Sequence, residues 1–194
     1  MCVVCVSNNA FVCSYAYVDF TIWSQKRSHC SCSLDALHVY IYHLVTLLQA
    51  KVATLKALDK RASTKAGART ITVADIRSAV ACSEPAHAET GKWLCRFMLN
   101  SVLHLKSAGC DLIMEAGAIP VIFEQLRRWP AEANIVKFAC MALFNLSYHG
   151  SAAVKLAMRS VPDCEALLRA ARASGLDVHN GQQFAAVALT KLGF

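Results

Sequence analysis

Ten cysteines and seven histidines among 194 residues are the side chains best equipped for chemistry. Cys2-Val3-Val4-Cys5 together with Cys30-Ser31-Cys32 invites a zinc reading. A structural zinc ion needs four ligands converging tetrahedrally, usually from two close pairs of suitable spacing. The second pair has a single intervening residue and no further motif supports it, so no metal is expected. Cys95 with His104, and Cys140 with His149, could pair a thiolate with an imidazole. Each pair is nine residues apart, about 13 Å along one helix, which is far beyond hydrogen-bond reach. The sequence holds no Gly-rich phosphate loop, no His-Glu-x-x-His and no Gly-x-Ser-x-Gly. Neither an enzymatic activity nor a cofactor is expected.

Composition gives the frame. An apolar fraction of 56% and a charged fraction of 17% can supply a sizeable core. Eight Gly and four Pro punctuate the chain too sparsely for a many-stranded sandwich and suit packed helices. The net charge of +7 is thinly spread. Its densest stretch is Lys51–Arg77, with seven basic residues against Asp59 and Asp75. That density fits a solvated face better than a nucleic-acid site. No basic n-region with an apolar core and cleavage site is present, and Cys82, Cys95, Cys110, Cys140 and Cys164 fall within helical patterns as small buried hydrophobes. A reducing compartment follows as the expectation, cytoplasmic with the nucleus as an alternative. The apolar run Ala36–Leu48 is too short to span a bilayer and is interrupted by His38 and His43.

Along the chain, residues 1–32 lack a helical period and stay unassigned, between short strands and an unordered arm. Residues 33–71 read as a helix capped by Ser33, with Leu34, Leu37, Ile41, Leu44, Leu47 and Leu48 at helical spacings, followed by a basic loop. Thr72-Val73-Ala74-Asp75 matches a capping box, opening a helix to about Cys82. Helices are then expected at about 88–105, 110–115, 121–129 and 133–148, with Gly117 ending the second and Pro120 in the first turn of the third. The order of short, medium and long recurs at 152–159, 162–173 and 179–192. Phe138-Ala139-Cys140-Met141-Ala142-Leu143 lines up with Phe184-Ala185-Ala186-Val187-Ala188-Leu189, 46 positions later, and Ile119-Pro120 with Val161-Pro162, 42 later. A period of 40–47 with helices throughout marks a HEAT or armadillo solenoid.

Glu115-Ala116-Gly117-Ala118-Ile119-Pro120-Val121-Ile122 resembles the opening of an armadillo repeat, and Ala139-Cys140-Met141-Ala142-Leu143-Phe144-Asn145-Leu146 resembles that repeat's third helix. The resemblance covers about residues 72–194: a partial repeat over 72–106, a full one over 107–148 and a last one over 149–194. It implies an all-α, right-handed superhelix of about two and a half repeats that binds a protein or extended peptide in a concave groove. At 100° per residue, Phe138, Ala139, Ala142, Leu143 and Leu146 share a core arc. Lys137, Met141 and Asn145 share the opposite one, which in the resembled fold lines the groove. The same register gives Trp93, Phe97 and Ser101 in the partial repeat, and Gln183, Val187 and Lys191 in the last. Importin-type armadillo proteins carry Trp four residues before that Asn. Here Met141, Val187 and Phe97 stand at the Trp position, and Lys191 and Ser101 at the Asn position, so an importin-like role is not implied. Gly117 is matched by Arg159, so the last repeat must build its first turn differently. Two further expectations complete the reading. One is self-association through an uncovered last repeat. The other, from a different class, is a basic helical nucleic-acid binder using the Lys51–Arg77 cluster.

Overall fold

The computed structural model describes residues 34–83, 87–174 and 181–194, and among them every regular element is a helix. Residues 1–32, with the cysteine pairs considered for zinc, lie outside the described residues, as do Ser33 and the expected helix start at His179. The chain divides into two compact units, 1–44 and 45–194. Helix α1 (Leu34–Ala62) begins in the first and continues through the second. Its described residues in the first unit include Ile41, Tyr42 and Leu44, all exposed. No helix among the described residues is long and apolar enough to cross a membrane.

In the second unit, Leu55, Leu58 and Ala62 of α1 are buried in the core. The basic loop contains one helical turn, α2 (Lys65–Ala68), capped by Thr64, whose hydroxyl accepts from the Gly67 amide. Helix α3 (Val73–Cys82) opens on the expected capping box. Thr72 Oγ1 accepts from the Asp75 amide at 3.3 Å, and the Asp75 carboxylate accepts from the Thr72 amide at 2.9 Å. Arg61 pairs with the same carboxylate, tying the end of α1 to the start of α3. Burial alone would raise the Asp75 pKa. The hydrogen bonds from Arg61 and Thr72, with the Arg61 charge, overcome that and hold it below its ordinary value.

Seven helices follow: α4 (Ala88–Leu105), α5 (Ser107–Glu115), α6 (Ile119–Arg128), α7 (Ala133–His149), α8 (Ala152–Arg159), α9 (Cys164–Ala173) and α10 (Gly181–Leu192). Each neighbours its counterpart 40–50 residues on. The long helix α7 packs between α4 and α10, the medium α6 beside α9, and the short α5 between α3 and α8. Three rows of like helices result, sharing one continuous core. The alanines that let the long helices approach closely, Ala139, Ala142, Ala185 and Ala188, have no exposed surface.

The two full units turn from short to medium helix by different means. In the first, Gly117 takes φ 69°, its amide donates to Met114 O and the Ala118 amide to Ile113 O. That is a Schellman stop, which glycine favours because it lacks a Cβ. In the second, Ser160 caps α8 with an ordinary right-handed φ, and the left-handed residue moves to Asp163, at φ 59° just before α9. The expectation that Arg159 forces a different turn therefore holds.

Candidate partner-binding face

Helices α4 and α7 are packed by several neighbours and leave little exposed, while α10 keeps a broader exposed side. On α7 the partly exposed residues Lys137, Met141 and Phe144 and the exposed Tyr148 follow at i, i+4, i+7 and i+11, a single stripe along the helix. Phe138 joins it, half-buried rather than enclosed as expected. On α4 the corresponding residues are Lys92, Trp93, Arg96 and Asn100. On α10 they are Gln183, Phe184, Val187 and Lys191.

Side-chain contacts knit these stripes into one face. Lys56, Lys92 and Arg96 each place their charge 5.2 Å from the centre of the Trp93 ring. Arg96 also lies 5.9 Å from Phe138, joining α4 to α7, and Lys137 lies at the same distance from that ring. Phe144 packs on Phe184 at 5.1 Å between ring centres, and Lys191 sits 5.2 Å over Tyr148, joining α7 to α10. Such contacts hold flat rings and cations in fixed relation at modest cost in solvation.

Two carboxylates anchor the α4 end. Glu89 accepts from Lys92 Nζ and from the Trp93 indole N–H, both at 2.7 Å, and the Lys92 bond draws its pKa down. Asp59 of α1 is nearly enclosed, at 3% exposure. It meets Arg96 Nε at 3.2 Å and accepts from Asn100 Nδ2 at 2.8 Å. Burial pushes its pKa up despite Arg96 and Asn100. A hollow of about 290 Å³ lies beside this end, lined by Leu48, Gln49, Val52, Ala53, Lys56 and His87.

The groove residues expected from the sequence divide. Lys137, Met141, Gln183, Val187 and Lys191 stand partly or fully exposed on the shared face. Phe97 and Ser101 do not, since each has 0% exposure. Helix α4 touches α2, α3, α5, α6 and α7, so its buried arc is wider than one amphipathic stripe predicts, and Arg96 and Asn100 take the outward positions. Asn145 is also turned in, at 6% exposure, and its Nδ2 donates to Met141 O at 2.8 Å. Ser101 does the equivalent on α4, its hydroxyl donating to Phe97 O at 2.9 Å. Both are back-bonded to the carbonyl four residues earlier, the usual solution for a polar side chain enclosed in a helix. Trp93, Arg96, Phe144, Tyr148 and Phe184 complete the face, and only Trp93 among them was legible from the register. The signal for the rest lay in the alanines, whose arc marks the true core side.

Cys95 and Cys140, the thiols of the two cysteine–histidine pairs, are buried. Burial raises the Cys95 thiol far above its ordinary value and the Cys110 and Cys140 thiols to about 12, which leaves them protonated. His104 meets Ser63 O at 3.1 Å instead of Cys95. Three basic residues of the Lys51–Arg77 stretch have partners within the fold. Arg61 is held by Asp75, Arg77 donates to Glu115 O at 3.3 Å, and Lys56 lies over Trp93. No group of three or more His, Cys, Asp or Glu side chains comes together among the described residues in a way that could hold a metal ion. No family model, curated protein or solved structure matches the chain.

Proposed function

We propose that this chain is a non-enzymatic protein-interaction module, an armadillo-like right-handed stack of about two and a half repeats. It binds a protein or extended peptide along the row α4–α7–α10. The observation that carries this reading is the face itself. Partly exposed Met141 and Phe144 of α7 and Val187 of α10 share the adjacent long helices with Lys137 and Lys191, over a core with no exposed surface at Leu143 and Leu146. Apolar anchors framed by charge are how protein interfaces are built. The setting is cytoplasmic, with the nucleus as the alternative. The test is affinity capture from cell extract with quantitative mass spectrometry, comparing the natural chain with Met141→Asp and with Leu156→Asp. Leu156 is 64% exposed on α8, away from the row of long helices. A specific partner should be lost with Met141→Asp and kept with Leu156→Asp. Equal retention by both variants would place binding elsewhere.

A further inference from the structure

The charge carried by the three long helices is one-sided. Helices α7 and α10 contain no Asp or Glu, and α4 contains only Glu89. Against that single carboxylate the three long helices present Lys92, Arg96, Lys137 and Lys191. The acids of the later helices sit in the other rows, as Asp111 and Glu115 of α5, Glu124 of α6 and Glu165 of α9.

Resting on the function proposed above, we infer that the partner segment is acidic, with Asp or Glu side chains reaching Lys137 and Lys191 and apolar side chains lying against Met141, Phe144 and Val187. Three observations favour this occupant. The first is charge complementarity: Glu89 and Asp59 pair with Lys92 and Arg96, so a basic segment would still meet the like charges of Lys137 and Lys191. The second is the fate of the two residues that the armadillo resemblance would assign to pairing with a peptide backbone. Both are buried, with one Asn145 Nδ2 hydrogen given to Met141 O and the Ser101 hydroxyl to Phe97 O. Recognition therefore shifts from backbone to side chains, and the cations are the donors left to make it. Lys191 stands at the register position of Asn145 and is exposed where Asn145 is buried. The third separates an acidic peptide from the other polyanion that a basic, aromatic face could take. Single-stranded nucleic acid is held by bases stacking on open aromatic faces. Here Trp93, Phe138 and Tyr148 are already in contact with cations, and Phe144 packs between Phe184 and Tyr148 at 5.1 and 5.8 Å. The cations hold the rings and leave N–H groups for carboxylates.

The test is selection from a displayed library of random 12-residue peptides on the immobilised full chain, repeated on the double variant Lys137→Glu/Lys191→Glu. Circular dichroism melting first establishes that the double variant is folded; if it is not, Lys137→Gln/Lys191→Gln takes its place. The natural chain should select peptides enriched at least threefold in Asp and Glu over the library. Those peptides should bind at least tenfold more weakly to the variant, and more weakly as salt rises. A fluorescein-labelled 20-nucleotide single-stranded RNA should bind more weakly than the selected peptides at the same salt. Selected peptides that lose affinity with Met141→Asp yet are neutral or basic would overturn the acidic partner and leave the binding face standing. Peptides indifferent to Met141→Asp, or no selected peptides at all, would overturn the face itself. RNA bound more tightly than any selected peptide would overturn the acidic-peptide inference in favour of nucleic acid.

Discussion

The middle unit, α5 to α7, and the last unit, α8 to α10, repeat each other in their cores and differ almost everywhere else. Ala139, Ala142, Leu143 and Leu146 correspond to Ala185, Ala188, Leu189 and Leu192, and all eight are buried. Ile119 and Leu126 of α6 correspond to Val161, just ahead of α9, and to Leu168 within it, again all buried. The turns between short and medium helices use a glycine in one unit and an aspartate in the other, at different positions. At the matched position, Asn145 is buried and folds back on its own helix, while Lys191 is exposed and reaches over Tyr148. Packing tolerates little variation in volume. A turn needs only some residue able to adopt its angles, and a surface residue is held by neither demand. The periodic part of such a chain is therefore its core, and its individuality lies on the face.

The largest expected effect tests that equivalence. Leu143 is enclosed between α4 and α10, so Leu143→Ala should cost ~2–5 kcal/mol in chemical unfolding through lost transfer energy and a cavity. Among the described residues α10 packs against one long helix, α7, and Leu189→Ala should fall at the low end of that range. Equal losses would mean that the outer side of α10 is as enclosed as that of α7.

Next is the corner between the units. Gly150 has an ordinary φ of −72°, so it is required for space and not for angle. A Cβ there would lie 2.3 Å from Leu146 O and 2.6 Å from Val154 Cγ1. Gly150→Ala should cost ~1–3 kcal/mol by overpacking, read from the shift in denaturant midpoint at unchanged slope. A neutral result would show that the corner yields.

The two turns give smaller effects of opposite sign. Gly117 needs its left-handed angle and has open space around it, so Gly117→Ala should cost about 1 kcal/mol. Asp163→Gly should be neutral or stabilising by roughly 0.5 kcal/mol, because the strain it relieves is offset by greater freedom in the unfolded chain. Thermal melting of both variants checks the pair. A loss on Asp163→Gly as large as that on Gly117→Ala would give the aspartate a contact beyond its backbone angle.

Smallest is a pH effect confined to the middle unit. Glu124 accepts from Arg128 Nε at 2.6 Å and also pairs with Arg127, and these bonds hold its pKa below the ordinary 4.5. A carboxyl whose folded pKa is depressed adds stability above its unfolded pKa and loses it as pH falls through the folded one. Its side chain is 34% exposed, so solvent screening keeps the contribution to about 0.2–1 kcal/mol. Glu124→Gln should lower the melting temperature slightly at pH 7, and the difference should vanish in strong acid. A difference that persists unchanged in acid would show that the effect is not electrostatic.

Element boundaries were largely legible in the sequence because local chemistry sets them. Thr72 with Asp75, Gly117, Pro120 and the limits Ala152–Arg159 all stand where residue types place them. Rotations about the helix axes were less legible. A helical wheel assumes one buried face, and α4 and α7 are each packed by several neighbours, so Phe97, Ser101 and Asn145 turned inward and Arg96, Phe144 and Tyr148 outward. The arc of Ala139 and Ala142 carried the signal for Phe144 and Tyr148, whereas the inward turn of Phe97 and Ser101 follows from the several helices packed on α4.

Site-specific photo-crosslinking tests the binding face most directly. A benzophenone side chain placed at Met141, at Val187 or, as the reference, at Leu156 would be irradiated in cells and the adducts separated by mass. The same protein partner should be captured from Met141 and Val187, on adjacent long helices, and not from Leu156. Capture from Leu156 with none from Met141 or Val187 would contradict a partner-binding face on the long-helix row.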